Sequence, residues 1–593
     1  MMGHAMNGFY ERYIHIDMKH QSFSIEPIDE RVLLRYLGGK GLAAYLLTDL
    51  NPPGVDPLGP ENTLIFATGP LGNSMIWGSC RYGVYTKSPL TGLFAESYCG
   101  GKTPDAIDTA GFDAVVIQGC AAKPTVLVVH PEGADFHLAD DIWGMETYAA
   151  EDAVRKRFAR PEYRKKGAVV VGPAAENGVR FAVVETDRWR SAGRTGAGTV
   201  MGAKKLKGIL FTGNRKRSQS DPDGIKKFAK NFMDTFKDHA AANAYKNLGT
   251  PMLVKMTNEA GAFPTRYWQQ GTFEHWERIS AEALVRQCSV TPNACGKCFM
   301  ACGQLATVKD GRHAGLTIEG PEYETIYAFG GLCLIDRIEE IAYLNDICDR
   351  KGIDTITAGN LCAFTIEAVR RGKVDFKIDY GDVDAIAKLL RMIARREGIG
   401  DVLSQGIRHA AKEWGLEHIA VHVKGMEPAG YDPRPLKGMG LAYGTSDRGA
   451  CHLRATFYKP ELSGMIPPEQ IEGKAEMFLE FESRLTVFDM LVLCRFYRDF
   501  YMWDKLEEVI GLVTGLETGE KTLKEKALDV ASLIRCFNLR EGMTPQDDRL
   551  PKFLHQPLQD TGEVITKAEM EAMLKDYYRL HGWDENGNPP NIE

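Results

Sequence analysis

Three of the cysteines lie close together in one segment, Cys295-Gly296-Lys297-Cys298-Phe299-Met300-Ala301-Cys302. Three cysteines in the spacing Cys-x2-Cys-x3-Cys can turn their thiolates toward one metal centre from a single tight loop. The spacing alone is compatible with an iron–sulfur cluster, with a structural zinc ion and with three unligated thiols. Either metal centre needs a fourth ligand. The chain has 13 cysteines, and the spacing does not show whether one of the others or a histidine supplies this ligand.

The rest of the chain has the composition of a folded globular protein, with 593 residues, 44% hydrophobic and 25% charged. A net charge of −7 argues against nucleic-acid binding, which requires a basic surface. No apolar run of about 18 residues is present, so we expect no membrane-spanning helix. The opening residues Met1–Met6 show no basic segment followed by an apolar one. We therefore expect no secretory signal, reduced thiols and a cytoplasmic protein.

The pattern of apolar residues changes along the chain. As far as residue 214 it consists of short apolar segments broken by glycine, which predict strands at Ala114–Gln118, Ala168–Val171 and Val179–Val184. Beyond the polar segment at 214–224 the spacing becomes helical, and a helix is predicted from Thr355 to Arg371.

A second boundary is indicated near residue 421. The segment Gly425–Gly444 is rich in glycine and proline and predicts a loop, and the remainder is again mostly helical. The fold class we expect is α+β, with a β-rich domain over residues 1–214 followed by two mainly helical domains over residues 215–421 and 422–593.

Four short motifs each allow a structural and a functional interpretation. The segment Arg190–Gly198 suits an anion site or a glycine turn with solvated charges. The segment Asp349–Asp354 suits two helix caps or a pair of hydrogen-bond acceptors. In Gly320–Thr325, Glu324 is a general base or a helix-start acid, and in Arg448–Arg454, His452 is catalytic or structural. None of the four justifies a function by itself.

Taken together and in this order, these motifs resemble the aldehyde:ferredoxin oxidoreductase family, whose enzymes hold tungsten, or sometimes molybdenum, with two pyranopterins. The resemblance covers nearly the whole chain, from Leu37–Ala43 to Tyr577–Trp583. It implies a [4Fe–4S] cluster bound by Cys295, Cys298, Cys302 and Cys494. The last cysteine ends the segment Asp489–Cys494, in which Val492 replaces the family's glycine.

The resemblance also implies which residues hold the two pterins. Asp349 and Asp489 begin two copies of the family's aspartate motif, and their carboxylates would accept hydrogen bonds from the pterin rings. Ser191 stands for a usual alanine, Arg454 for a lysine, and Tyr98 for an asparagine of some members. A magnesium ion bridging the pterin phosphates is implied as well. The implied cofactor contacts are Arg81, Tyr98, Gly100, Arg190, Ser191, Gly193, Arg194, Asp349, Ile353, Asp354, Arg448, Arg454, Asp489 and Leu493.

By the same resemblance, the chain is expected to be an enzyme that oxidises small aldehydes to carboxylic acids. Electrons would pass through the cluster to ferredoxin or to an iron–sulfur subunit. The resemblance makes Glu324 the candidate base, His452 a hydrogen-bond donor to the carbonyl or metal oxygen, and Tyr431 a residue that positions the substrate.

Two other functions are compatible with part of this pattern. The first is a low-potential reductase similar to the tungsten subunit of benzoyl-CoA reductase. Those subunits lack the Gly-Pro-Glu-Tyr-Glu and Arg-Gly-x-Cys-His segments that are present here, which favours aldehyde oxidation. The second is a zinc-stabilised binding protein, which gives no reason for the paired aspartate motifs.

Some members of the family hold an iron between two subunits with a Glu-x-x-His motif, where this chain has Tyr343-Leu344-Asn345-Asp346. We predict no mononuclear iron between chains, so any oligomer would form without it. Metal analysis of the isolated holoprotein should find no iron beyond one cluster per chain. A metal bound by Asp346 across a two-fold axis would contradict this prediction.

Overall fold

The computed structural model of the protein describes residues 6–590. Met1–Ala5, which belong to the segment in which no secretory signal is predicted, lie outside the described residues, as do residues 591–593. The predicted α+β class is confirmed, because two six-stranded sheets precede a mainly helical remainder. In the described part of the chain, no helix combines the length and the apolar character needed to cross a bilayer.

Residues 12–213 build the two sheets and are called the first sheet region below. One has the strand order β2-β1-β6-β3-β4-β5 and the other β11-β10-β9-β12-β7-β8. The strands are β1 Arg12–Asp17, β2 Ser22–Pro27, β3 Leu64–Ala67, β4 Tyr82–Lys87, β5 Phe94–Cys99, β6 Ala114–Gln118, β7 Thr125–His130, β8 Gly133–Leu138, β9 Lys165–Val170, β10 Val184–Thr186, β11 Arg190–Ala192 and β12 Leu206–Gly213. Strands β4, β7 and β12 are buried along their whole length, because both faces of each sheet are covered.

Two of the three predicted strands are confirmed and one is wrong. The segment Ala114–Gln118 forms β6, and Ala168–Val171 overlaps β9. Of Val179–Val184, only the last residue is in a strand. The others form a buried connection whose polar backbone groups are satisfied by neighbouring loops; the Val183 N–H, for example, donates to the carbonyl of Gly352 at 3.0 Å. Burial of this connection, not strand pairing, explains its apolar sequence.

Helices cover the first sheet region and form most of the remainder. Beside the strands lie α1 Glu30–Tyr36, α2 Gly39–Leu50, α3 Thr103–Thr109, α4 Thr147–Arg157, α5 Pro173–Glu176 and α6 Ala197–Ala203. The middle of the chain holds α7 Pro222–Phe236, α8 Ala240–Leu248, α9 Leu253–Glu259, α10 Ala281–Gln287, α11 Tyr323–Ile326, α12 Ile338–Lys351, α13 Thr355–Arg370, α14 Val383–Arg395, α15 Ile399–Ser404 and α16 Ile407–Trp414, with a small sheet of β13 Cys288–Asn293, β14 Gly303–Val308 and β15 Thr317–Glu319. The last part holds α17 Lys437–Thr445, α18 Tyr458–Leu462, α19 Lys474–Leu491, α20 Trp503–Thr514, α21 Glu520–Arg540 and α22 Lys567–Leu580.

Two junctions in the helical part position the site. The predicted helix from Thr355 is confirmed as α13; Gly352, at φ +74°, ends α12, and Asp354 caps α13 by accepting a hydrogen bond from the Ile356 N–H at 2.9 Å. Helix α19 packs against α2, α21 and α22, so its end points into the first sheet region. Helix α7, from the predicted middle domain, packs on α20 of the predicted last domain.

The predicted loop over Gly425–Gly444 is wrong in its last part, which belongs to α17. Three glycines of this helix face close neighbours: a Cβ at Gly438 would lie 2.2 Å from the Phe457 ring, and one at Gly444 would lie 2.4 Å from the Asp548 carbonyl oxygen. A Cβ at Gly440 would lie 2.6 Å from Ile565. These glycines permit close helix packing, whereas the sequence pattern predicts a loop.

We expect Gly444→Ala to lower the free energy of unfolding by about 1–3 kcal/mol, because the added methyl group meets rigid backbone. Gly511→Ala in α20 is the matched control. Its nearest neighbour would lie 3.7 Å away, so the change should be neutral or should stabilise by less than about 1 kcal/mol. Urea unfolding of both variants makes the comparison. Equal effects would show that glycine spacing in α17 does not serve packing.

Candidate active site and cluster site

A cavity of about 340 Å³ lies where loops of the first sheet region meet α11 and the end of α19. It brings together residues that are as far apart in the sequence as Arg81 and Arg498. The predicted site residues on its wall are Arg81, Tyr98, Ser191, Gly193, Arg194, Glu324, Tyr431, Arg448, His452, Asp489 and Leu493. Among the described residues, the remaining predicted cofactor contacts are not part of this wall: Gly100, Arg190, Asp349, Ile353, Asp354 and Arg454.

Asp354, which lies behind the wall, forms a buried ion pair with Arg194 on the wall. The Arg194 Nε donates to Asp354 at 2.9 Å, while the other oxygen of this carboxylate caps α13. Arg194 follows β11 in a turn where Thr195 and Gly196 have φ angles of +71° and +77°. The structural interpretation of these motifs is confirmed, because the glycine turn and the helix cap are both present, and together they direct a guanidinium to the cavity.

Asp349 has a different environment. It accepts a hydrogen bond from Asn345 at 2.7 Å, and burial, with the charge of Asp346, raises its pKa well above the ordinary range. Ile353 next to it is buried and pairs with Ala182 in an isolated bridge. The two ends of this aspartate motif thus face different surroundings in the described structure.

Asp489, on the last turn of α19, is held by two cations. Arg454 contacts its carboxylate at 3.1 Å, and Arg495 forms a second ion pair with the same oxygen. Although burial opposes it, the charges of Arg495 and Arg454 lower the pKa of Asp489. Arg454 also pairs with Glu96, which accepts from Lys40 at 3.2 Å. This network keeps the Asp489 carboxylate ionised and fixed beside the cavity.

Several buried guanidinium atoms of this region have no hydrogen-bond partner among the described residues. They are the Nε of Arg448 and the Nε and Nη2 of Arg454. At Gly193, a Cβ would find its nearest neighbours only at 3.7 Å or beyond, on Ser191, so the wall leaves room there. Unpaired guanidinium donors beside open space suit phosphate oxygens. The residues present therefore fit a phosphate-bearing cofactor.

The three cysteines of the loop between β13 and β14 lie next to Cys494. The Gly78 carbonyl accepts from the Cys494 N–H at 2.9 Å, and its own N–H donates to Lys297 of the loop at 3.2 Å. Besides burial, the charges of Cys494 and Cys295 both raise the pKa of the thiols of Cys298 and Cys302, which places the four within one region. Within residues 6–590, no three histidine, cysteine, aspartate or glutamate side chains are grouped to hold a single metal ion.

Arg81 connects the cysteine region with the cavity. Its Nη1 lies 3.6 Å from the Cys494 sulfur, and the same side chain lines the cavity wall. A hydrogen bond from Cys80 and the charge of Arg190 lower the pKa of Cys295, which favours the thiolate that iron binds. Gly100 makes room for this sulfur, since a Cβ there would lie 2.9 Å from it.

Glu324 and His452 meet on the cavity wall, their Oε1 and Nε2 atoms 3.4 Å apart. Burial raises the pKa of Glu324 to about 8, and burial with the charge of Arg448 lowers the pKa of His452 well below its usual value. The second oxygen of Glu324 accepts from the Gly430 N–H at 2.9 Å. Glu324 Oε1 and His452 Nδ1 have no hydrogen-bond partner in the described structure, so both remain available to a ligand.

Tyr431 belongs to an aromatic side of the cavity. Its ring stacks on Tyr458 with centroids 4.0 Å apart and planes 7° apart, and it lies 5.6 Å from the imidazole of His452. Tyr323 is the third ring, 5.2 Å from Tyr431. The structure thus brings the three predicted catalytic residues together with two tyrosines that the sequence analysis did not single out.

Tyr323, Tyr458, Arg495 and Arg498 are among the cavity residues that the sequence analysis missed. Arg495 directly follows Cys494, and Tyr323 directly precedes Glu324, so adjacency to a motif was an available signal. Tyr458 and Arg498 carry no local signal, because only tertiary packing brings them to the cavity. Cys333, unexplained by the sequence, is a buried core thiol that contacts the Ala328 and Gly359 carbonyls at 3.6 and 3.5 Å.

The sequence matches two family models along almost its entire length. Residues 13–213 match the aldehyde ferredoxin oxidoreductase N-terminal domain, and residues 227–592 match aldehyde ferredoxin oxidoreductase domains 2 and 3. The chain belongs to the aldehyde ferredoxin oxidoreductase family. It is therefore an oxidoreductase, and the resemblance drawn from its motifs is confirmed.

Individual members of the aldehyde ferredoxin oxidoreductase family show the same extent of similarity. The chain is 32% identical to the tungsten-containing aldehyde ferredoxin oxidoreductases of Pyrococcus furiosus and Thermococcus kodakarensis, over 99% of this chain and 98% of each relative. It is 27% identical to an aliphatic sulfonate oxidoreductase, WOR-like subunit, of Pyrococcus furiosus, over 99% of this chain and 96% of that one.

A solved structure shares the fold. It is the active site complex BamBC of benzoyl coenzyme A reductase with 1,5-dienoyl-CoA, with a TM-score of 0.84 and 23% identity, covering 99% of this chain and 96% of that one. This similarity concerns the fold alone.

The positions of the family's interfacial iron motif are engaged within this chain. Tyr343 stacks on His313 with centroids 4.2 Å apart, and Asp346 pairs with Arg350 at 2.6 Å. The absence of a mononuclear iron between chains stays a prediction, which metal analysis can test.

We predict that Cys494→Ala removes or degrades the iron–sulfur cluster, because it deletes the thiolate next to the Cys295–Cys302 loop. Cys80→Ala is the discriminating variant, since Cys80 is buried against Cys295 and is the other thiol at hand. Cys536→Ala on α21 is the control. Iron content and electron paramagnetic resonance of the reduced protein are the measurements. An intact four-iron signal in Cys494→Ala, with loss in Cys80→Ala, would move the fourth ligand to Cys80.

Proposed function

We propose that this chain oxidises aldehydes to carboxylic acids at a tungsten bis-pyranopterin centre. Electrons would leave through a [4Fe–4S] cluster to ferredoxin or to a partner iron–sulfur subunit. The 32% identity with tungsten-containing aldehyde ferredoxin oxidoreductases over the whole chain supports the metal and the reaction class. The observation that carries the proposal is the pair of Glu324 and His452, both with unpartnered atoms on the wall of one cavity.

The family resemblance and the geometry above support the residues proposed to hold the cofactors. Arg448 and Arg454 would bind pterin phosphates, whose charge a magnesium ion would also offset, and Asp489 would accept hydrogen bonds from a pterin ring. Cys295, Cys298, Cys302 and Cys494 would hold the cluster. When bound, the tungsten pterin supplies the two-electron redox chemistry that side chains cannot perform.

Glu324 and His452 would handle the proton and the carbonyl group. With its pKa lowered, His452 is a neutral imidazole, which has one N–H to donate and one nitrogen to accept. A donor at Nδ1 would polarise the substrate carbonyl, and Glu324 in its ionised form would take up a proton as the acid product forms. Tyr431 and Tyr458 would hold the body of the substrate against their ring faces.

A low-potential reductase is the second candidate function. The fold shared with the benzoyl coenzyme A reductase complex is the observation that favours it. Both reactions require the same cofactor cradle, so the cradle does not separate them. Anaerobic assays do: aldehydes with an oxidised viologen dye test the first function, and an aromatic CoA thioester with a strong reductant tests the second.

We expect Glu324→Gln to lower kcat for aldehydes by roughly 10²–10⁴-fold, because it keeps the size of the side chain but removes the base. In the wild-type enzyme, kcat/KM should rise with pH through about 8, since the ionised form of Glu324 becomes populated there. The variant should lack this rise. Steady-state rates between pH 6 and 10 are the measurement.

Glu277→Gln is the control for this experiment, because Glu277 is an exposed carboxylate outside the cavity. Tungsten and iron contents must equal those of the wild type in both variants. Unchanged turnover in fully metallated Glu324→Gln would assign Glu324 a structural role. A wild-type enzyme that reduces the CoA thioester and oxidises no aldehyde would replace the proposed function with the second candidate.

A further inference from the structure

Arg498 is a buried cation on the cavity wall whose charge is not neutralised by a close carboxylate. Its side chain is 3% exposed, and no aspartate or glutamate of the described residues lies within ion-pair distance of it. Asp499 is the carboxylate that acts on it electrostatically, but Asp499 is already paired with Lys459. Leaving a buried guanidinium without a counter-charge is costly in a folded protein. Such a charge indicates a ligand that completes it.

The hydrogen bonds of Arg498 are also incomplete. Its Nη1 donates to the Arg495 carbonyl at 3.1 Å, and Tyr245 provides a further contact. Its Nε is buried and has no partner in the described structure. An arginine presents its donors in one plane, so a free Nε beside a cavity is suited to a carboxylate oxygen.

Arg498 lies on the same cavity wall as the three proposed catalytic residues. It shares the cavity wall with Tyr458 and Phe496, and its charge acts on His452 at the reactive side. Although burial opposes them, the groups that raise the pKa of Arg498 are Tyr245, Tyr458 and Asp499. The pKa of Arg81, by contrast, is raised despite burial by the charges of Cys494 and Cys295, as expected of an arginine beside the candidate cluster site.

The surroundings add further positive charge. Lys459 and Arg484 lie near Asp499 as well, so this carboxylate serves three cations at once. Lys459 is 32% exposed, which connects the cationic group with solvent. A group of cations beside a cavity attracts anions.

We propose that Arg498 is a specificity-determining residue that binds an anionic group at the far end of the substrate, so that the physiological substrate is an aldehyde carrying a carboxylate or a similar anion. This inference rests on the proposed function, because it places the aldehyde carbon at Glu324 and His452. The aromatic wall between the two ends accepts the body of the molecule.

The first test compares two aldehydes that differ only in the distal charge, benzaldehyde and 4-formylbenzoate, with viologen as the acceptor. We expect the wild-type holoenzyme to prefer 4-formylbenzoate. Arg498→Gln should lower kcat/KM for 4-formylbenzoate by about 10–100-fold, mainly by raising KM. The same variant should change kcat/KM for benzaldehyde by less than about threefold. Arg498→Lys should keep part of the preference. Arg579→Gln, which removes an exposed charge on α22, is the matched control.

The second test needs no turnover. Isothermal titration of the holoenzyme compares terephthalate with benzoate, which share the carboxylate that the reaction would form and differ in the second one. Terephthalate should bind about 10–100-fold more tightly, and Arg498→Gln should abolish the difference.

The outcomes separate this inference from the proposed function. Oxidation of both aldehydes with equal efficiency, unchanged by Arg498→Gln, overturns the inference and leaves aldehyde oxidation standing. If no aldehyde is oxidised, the proposed function fails, and the titration alone decides whether Arg498 binds an anion. Equal binding of terephthalate and benzoate overturns the inference in either case.

Discussion

The close approach of the end of α19 to the first sheet region is the constraint on which the rest of the site depends. A Cβ at Gly39 would lie 2.2 Å from the Asp489 carbonyl oxygen, and one at Gly69 would lie 2.2 Å from that of Leu491. Only glycine allows two backbones to meet so closely. Because the helix end is fixed there, Asp489 faces the cavity and Cys494 faces the cysteine loop.

Val492 turns the chain at this point. It has a φ of +56°, a left-handed conformation that costs a β-branched residue roughly 1–2 kcal/mol. Hydrogen bonds on either side hold the turn: the Leu493 N–H donates to Phe488 at 2.8 Å, and the Cys494 N–H donates to Gly78 at 2.9 Å. The backbone expected from the family's glycine is therefore kept although the side chain differs, so strain at this position coincides with the link between the two candidate cofactor sites.

Burial determines the electrostatics of the cavity. It keeps His452 neutral and raises the pKa of Glu324, while Asp489 stays ionised because two arginines compensate for its burial. Burial in surroundings of low polarity raises the pKa of a carboxylate that has no cation beside it. The same surroundings make an unpaired buried guanidinium group costly in free energy. The cavity wall thus offers unpaired guanidinium groups to anions on both the proposed cofactor side and the proposed substrate side.

The sequence by itself determined the family, the α+β class, the cysteine loop and the helix caps around Gly352 and Asp354. Each of these depends on local chemistry: thiol spacing, backbone conformations that favour glycine, and a carboxylate next to free helix N–H groups. It predicted a loop where α17 forms and a strand where a buried connection runs, because glycine and apolar residues serve both uses and neighbours distant in sequence decide between them. Only the tertiary structure placed Tyr458 and Arg498 on the cavity wall and left Asp349 outside it. Burial and unpaired charge arise from contacts between elements far apart in the chain, and no local pattern encodes them.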